Sequence, residues 1–225
     1  MFEEYSTFVK EVRKSNRYVW SDSTTVFLEK LSECFHEREY RVPRGSKLFR
    51  SQIGYAEVNL EGENALSALP AKRMKPTPEF AKEGRSNPKG IPYLYLSNDK
   101  QTSMSELRPA VGEYISCGVF EAAKDLTLID CHTTDPTINE VGLIFSPPDT
   151  PKKSIDATWF LINKEFSKPV KNSESDTNYV ATQIVAELIK SKGYDGLLCK
   201  SHLGPGFNIV LFELDSAHIR DCHIL

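Results

Sequence analysis

The stretch NYVATQIVAELIKSKG, residues 178–193, with DGLLCKS and FNIVLFE close behind it, constrains the fold more than any other part of the chain. Val180, Ile184 and Leu188 recur at every fourth residue, Val185 and Ile189 flank them, and Gly193 suits a helix C-terminus, so the segment reads as a helix with one apolar face. The two runs after it are rich in Leu, Val and Ile and are separated by a Gly/Pro turn, which reads as two strands, with AHIRDCHIL as a third. Tyr179, Gln183 and Glu187 share the more polar face of the helix, and Tyr179 and Gln183, one turn apart, lie either at the edge of a pocket or simply exposed.

Earlier segments mix both periods. Residues 2–14 and 23–36 are expected to be helices, the second capped by Ser23 with Phe27, Leu31, Cys34 and Phe35 forming a stripe. KLFRSQ is a short strand ending near Arg50, and residues 60–90 show no sustained period, as in a functional loop. The strand IPYLYLS leads into a helix capped by Ser97 or Asn98, which runs to Arg108 and is stopped by Pro109. EYISCGVFEA and DLTLID are strands, residues 154–166 a helix with Trp159, Ile162 and Phe166 on one side, and the Lys/Ser/Asp-rich tail after it an exposed loop. No βαβ rhythm emerges, and neither GxGxxG after a strand nor GxxxxGK[ST] is present. An α+β fold is expected, divided into a helical segment at residues 1–40 and a domain at 41–225.

Charge and composition narrow the function. Twenty-eight Lys and Arg against thirty-one Asp and Glu give a net charge of -3, with no basic stripe to draw nucleic acid or an anionic membrane. Apolar runs such as ATWFLI fall far short of the ~20 residues a membrane span needs, and the acidic, amphipathic N-terminus lacks the pattern of a secretory signal. A cytoplasmic location is therefore expected. The five cysteines are odd in number and widely spaced, and the adjacent Cys/His pairs lack ligand spacing, so reduced thiols and no metal site are expected.

Several ordered motifs together resemble the RES-domain family. KLFRSQ is similar to its first arginine strand, RMKPTPEFAKEGRSNPKGIPYLYLS to its second-arginine loop and strand, and SMSELRP to its glutamate helix; FSKPV, YVATQIVAELIKSKGYDGLLCKS and GFNIVLF follow in the family's order, so the resemblance spans roughly residues 41–213. The resemblance implies a core related to ADP-ribosyltransferases, with mixed and antiparallel sheets, flanking helices and an N-terminal helical appendage. It implies a pocket for NAD as substrate, with no permanently bound cofactor. Family members break the nicotinamide–ribose bond by phosphorolysis or hydrolysis, and some transfer ADP-ribose to a protein instead. Many are toxins paired with a helix-turn-helix (Xre-type) antitoxin. By motif position the carried-over residues are Arg50, Arg85, Tyr95, Glu106 and Ser201. A noncatalytic module that binds NAD or a partner through its helices is the alternative of another class.

Elementary chemistry asks for the same residue types. NAD carries an anionic pyrophosphate and a cationic pyridinium, and nicotinamide leaves neutral, so its departure needs no proton donor. The ribose left behind becomes oxocarbenium-like and is stabilised by a fixed carboxylate, the part assigned to Glu106. Arg50 and Arg85 offer planar, permanently charged forks for the pyrophosphate and for inorganic phosphate as a second substrate. Tyr95 offers a ring and a hydroxyl, and Ser201 a hydroxyl for a ribose hydroxyl or the carboxamide. Asn208 lies in an otherwise apolar strand; it positions either the final strands or a ligand amide, and the sequence does not decide between them.

Overall fold

Burial divides the late strands cleanly: Leu197, Cys199 and Val210 belong to one hydrophobic cluster, Leu198, Ile209 and Leu211 to another. Strands buried on both faces belong to the middle of a covered sheet. The computed structural model describes residues 1–60, 62–133, 138–168 and 179–225. Its elements are α1 (Phe2–Lys14), α2 (Asp22–Glu33), β1 (Glu39–Val42), β2 (Lys47–Ile53), β3 (Ala56–Leu60), β4 (Glu63–Ser67), β5 (Leu94–Ser97), α3 (Lys100–Ser105), β6 (Ile115–Ala122), β7 (Leu126–Asp130), α4 (Glu140–Phe145), α5 (Pro151–Ser167), α6 (Val180–Ser191), β8 (Gly196–Lys200), β9 (Phe207–Leu211) and β10 (Ala217–Ile224).

An eight-stranded sheet runs in the order β1-β7-β8-β9-β5-β2-β6-β10, and β3 and β4 form a separate hairpin. Among the described residues only the β7–β8 pair is parallel; its long connection carries α4, α5 and α6, as a parallel pair requires. The remaining pairs are antiparallel. This mixed sheet with flanking helices is the expected α+β class.

One cluster packs α1, α2, α5 and α6 on the sheet through Phe8, Phe27, Leu31, Trp159, Ile162 and Ile189. The opposite cluster joins Leu48, Leu94, Phe120, Leu128, Ile209 and Met74. The N-terminal helices thus share a core with the sheet: Phe8 is fully buried, with its ring stacked 5.2 Å from that of Phe27. Arg38 extends this join, its guanidinium 4.6 Å from the Trp159 ring centroid and its Nε donating to the Asp130 carbonyl at 2.7 Å. No helix among the described residues is long and apolar enough to cross a membrane.

Local details depart from the sequence expectations for physical reasons. Helix α2 is capped by Ser21 rather than Ser23, because Glu11 of α1 accepts from the Ser21 backbone at 2.8 Å, the Ser21 hydroxyl at 2.6 Å and the Thr24 hydroxyl at 2.6 Å. The β3–β4 hairpin falls in part within residues 60–90, where no period was legible, because it is mostly solvent-facing and its strands need no apolar alternation. Helix α4 buries none of its residues and left no stripe to find. Helix α5 begins earlier than expected, at Pro151, with the Thr150 hydroxyl as cap. The Lys/Ser/Asp-rich stretch expected as a loop falls mainly on residues 169–178, outside the described residues.

Phe8→Ala should lower the unfolding free energy by about 3–5 kcal/mol, the usual range for a buried aromatic, when followed by denaturant titration. A loss below about 1 kcal/mol would mean that the N-terminal helices stand apart from the cooperative unit.

Candidate active site

The sheet is weakly stitched at one place. β2 pairs with β6 along its whole length but with β5 through a single pair, Phe49 with Ser97. Beside that gap lies a cavity of about 680 Å³, lined by Arg50 and Ser51 of β2, Tyr95 and Ser97 of β5, Arg85, Glu106 and several others. The volume lies within the ordinary range of small-molecule sites. Four of the five residues singled out from the sequence line it. The fifth, Ser201, lies buried just behind Glu106.

Glu106 is placed by a short helix with strong ends. Asp99 caps α3, accepting from the Thr102 backbone at 2.7 Å and the Thr102 hydroxyl at 2.9 Å. The helix stops at Ser105, so Glu106 is its C-terminal cap residue; the sequence had run the helix on to Arg108 and capped it at Ser97 or Asn98. Arg108 instead adopts a left-handed φ of 49°, turning the chain into Pro109. The Gly206 backbone donates to the Thr102 hydroxyl at 2.8 Å, which ties α3 to the turn between β8 and β9. A Cβ at Gly204 would come 2.6 Å from Thr102 Cα, so this turn closes only on glycine.

The same turn supplies Ser201. Its hydroxyl accepts from the Leu203 and Gly204 backbones at 3.1 and 3.0 Å and donates to Glu106 Oε1 at 2.7 Å. All its hydrogen-bonding capacity is engaged, so Ser201 fixes the carboxylate. Asn208 of β9 donates its Nδ2 to the same oxygen at 2.6 Å, and the Ser97 hydroxyl fixes that amide by donating to Asn208 Oδ1 at 3.0 Å. Oε1 is therefore held by two donors, while Oε2 has no hydrogen-bond partner among the described residues. Asn208 is thus placed in the site itself. Its signal in the sequence was a lone amide in an apolar strand.

The arginines are anchored without being used up. Arg50 Nη1 donates to the Tyr95 carbonyl at 2.9 Å, bridging the gap in the sheet, and its Nε is buried with no partner among the described residues. Burial draws its pKa below the ordinary arginine value, an effect that Tyr95 opposes. Arg85 Nη1 donates to the Phe166 carbonyl at the end of α5, at 2.7 Å. Tyr95 donates its hydroxyl to Asn87 Oδ1 at 2.7 Å and accepts from the Ser86 backbone at 3.1 Å, so its polar end holds the Arg85 segment while its ring borders the cavity. Burial raises its pKa, against the Ser86 hydrogen bond and the Arg85 charge, and keeps the phenol protonated. Gln183, which the sequence left between pocket edge and exposed face, is buried and grips the same segment. His202, beside Ser201, is exposed.

The family model described as RES domain matches residues 62–224. The chain belongs to the RES-domain family. The matched stretch of the RES domain contains Arg85, Tyr95, Glu106 and Ser201, while Arg50 lies just before it and reaches the same cavity. Among solved structures the chain is similar to one described as the crystal structure of the M. tuberculosis MbcT-MbcA toxin-antitoxin complex, at 16% identity over 88% of this chain and 92% of that one, with a TM-score of 0.43. No curated protein matches.

Cys199 also lines the cavity, as a neutral thiol: burial pushes its pKa up to about 12, with Glu106 adding to the rise and Ser167 and Arg85 opposing it. Burial likewise raises Cys131 well above the ordinary value. A thiol whose pKa is higher in the folded state contributes its full stability below the unfolded value, about 8.5, and loses it as pH climbs toward the folded value. Thermal unfolding under reducing conditions should therefore show a Tm that falls above about pH 9. Cys199→Ala should make the decline shallower by about 1.4 kcal/mol per pH unit, since one fewer buried proton is released.

Proposed function

We propose that this RES-domain protein binds NAD in the cavity beside the β2–β5 gap and splits the nicotinamide–ribose bond, with inorganic phosphate as acceptor, yielding ADP-ribose 1-phosphate and nicotinamide. The observation that carries the reading is the state of Glu106: Oε1 is held by Ser201 and Asn208, while Oε2 has no hydrogen-bond partner among the described residues, in a cavity that Arg50 and Arg85 also line. A carboxylate held this way is preorganised for a positive charge that develops only during the reaction. In the step itself the C1′–N1 bond breaks and its electron pair passes to the pyridinium nitrogen, so nicotinamide leaves neutral. A phosphate oxygen then bonds to C1′ and quenches the cation. The arginines supply charge-assisted hydrogen bonds to the pyrophosphate and to the incoming phosphate.

Water or a protein side chain in place of phosphate would give glycohydrolase or ADP-ribosyltransferase activity from the same pocket. Membership of the RES-domain family supports a further reading: a growth-arresting toxin that acts by depleting NAD in the cytoplasm and is restrained by a helix-turn-helix (Xre-type) antitoxin.

Purified protein incubated with NAD, with and without phosphate, is expected to release nicotinamide, and the sugar product should shift from ADP-ribose to its 1-phosphate when phosphate is present. Unconsumed NAD in both arms, from folded protein, removes the proposal. Glu106→Gln should cut kcat by roughly 10²–10³ while leaving the fold intact, the size seen when one preorganised group is lost. Arg85→Ala should act chiefly by raising KM for NAD.

A further inference from the structure

Arg85 sits in a segment, residues 82–91, that belongs to no helix or strand. Irregular backbone inside a fold leaves carbonyl oxygens in need of donors. Two side-chain amides meet that need here. Asn87 Nδ2 lies 3.0 Å from the Lys82 carbonyl, 3.1 Å from that of Pro88 and 2.9 Å from that of Ile91, drawing the segment around itself. Gln183 reaches in from α6 and directs its Nε2 at the Gly84 carbonyl (2.9 Å), the Asn87 carbonyl (3.1 Å) and Glu83 Oε1 (3.0 Å). The Gly84 backbone closes the turn by donating to the Asn87 carbonyl at 2.9 Å. At Gly84 a Cβ would stand 2.6 Å from Asn87 Oδ1 and 2.7 Å from the Tyr95 hydroxyl, so the turn is packed tightly against the groups that hold it.

These ties fall on both sides of Arg85: Gly84 before it, Ser86 and Asn87 after it. We propose that Gln183 is a positioning residue, whose amide locks the 83–87 turn so that Arg85 presents its guanidinium to a phosphate-bearing ligand in the cavity. The proposal rests on reading that cavity as the site of a pyrophosphate-containing dinucleotide. Glutamine suits the task because its amide offers two N–H donors and no charge to two carbonyls and a carboxylate. Glutamate there would set a carboxylate against Glu83 and two carbonyl oxygens, and methionine would keep the length but bring no donor. Gln183 is only 8% exposed, so no water replaces the lost donor without local rearrangement.

The test uses the full-length protein and ADP-ribose, which carries the pyrophosphate without the scissile bond, so binding is read separately from turnover. Gln183→Met is expected to keep a cooperative unfolding transition, to speed hydrogen exchange at the Gly84 and Ser86 amides, and to weaken ADP-ribose binding about tenfold or more. In NAD turnover the loss should appear in KM, with kcat changed far less, because Glu106 and its donors are untouched. The deciding measurement is the double variant: Gln183→Met with Arg85→Ala should bind ADP-ribose no more weakly than Arg85→Ala alone, since residues acting as one unit do not add. Independent, multiplying losses overturn the proposal, as does unaltered binding by folded Gln183→Met. If Gln183→Met fails to fold, Gln183→Glu enters the same cycle with the same expectations. A wild-type protein that binds ADP-ribose but leaves NAD intact removes the proposed reaction and still tests the positioning role; one that binds no ADP-ribose removes both.

Discussion

The site depends on a sheet that is almost, but not fully, joined. β2 and β5 meet through the single Phe49–Ser97 pair, and past it the ladder gives way to a cavity. Backbone groups freed at such an opening need partners, and a side chain serves as one: Arg50 donates across the gap to the Tyr95 carbonyl. The same guanidinium keeps a buried Nε without a partner among the described residues. Holding a permanent charge beside this opening costs desolvation, and the pKa of Arg50 records it. An anion entering the cavity would offset that cost.

Around the opening, two separate clamps divide the labour. One fixes a negative charge: Ser201 and Asn208 converge on a single oxygen of Glu106, and both come from the β8–β9 hairpin, which the Gly206–Thr102 hydrogen bond ties to α3. The other fixes a positive charge: Tyr95 from β5 and Gln183 from α6 hold the irregular turn that carries Arg85. Neither clamp shares a side chain with the other. Opposite charges are thereby held by different elements of one frame, which suits the proposed substrate, anionic at its pyrophosphate and turning cationic at its sugar.

Periodicity carried much of the fold into the sequence. The fours-and-threes of α6 and the apolar runs of β8 and β9 were legible because burial on a sheet imposes them locally. Elements that bury little escaped notice for the same reason, as the β3–β4 hairpin and α4 show. Among site residues, Arg50, Arg85, Tyr95 and Glu106 could be named in advance from the order of their motifs, and all four line the cavity. Asn208 was visible only as an amide within an apolar strand, and Gln183 only as part of a more polar helix face, open between a pocket edge and solvent; in neither case did local spacing name the groups it would touch.

The sequence by itself determined an α+β chain with no long apolar span, and its motif order singled out a set of arginine, glutamate and hydroxyl groups. Tertiary structure alone decided which hydroxyl faces a ligand and which serves another side chain: those of Ser201 and Tyr95 both turn inward, to Glu106 and to Asn87 with the Ser86 backbone. The reason is separation along the chain. Ser201 meets Glu106 across 95 residues, Asn208 meets it across 102, and Gln183 meets Glu83 across 100. Local spacing encodes which face of an element is buried, whereas a hydrogen bond between distant elements exists only once packing has brought them together.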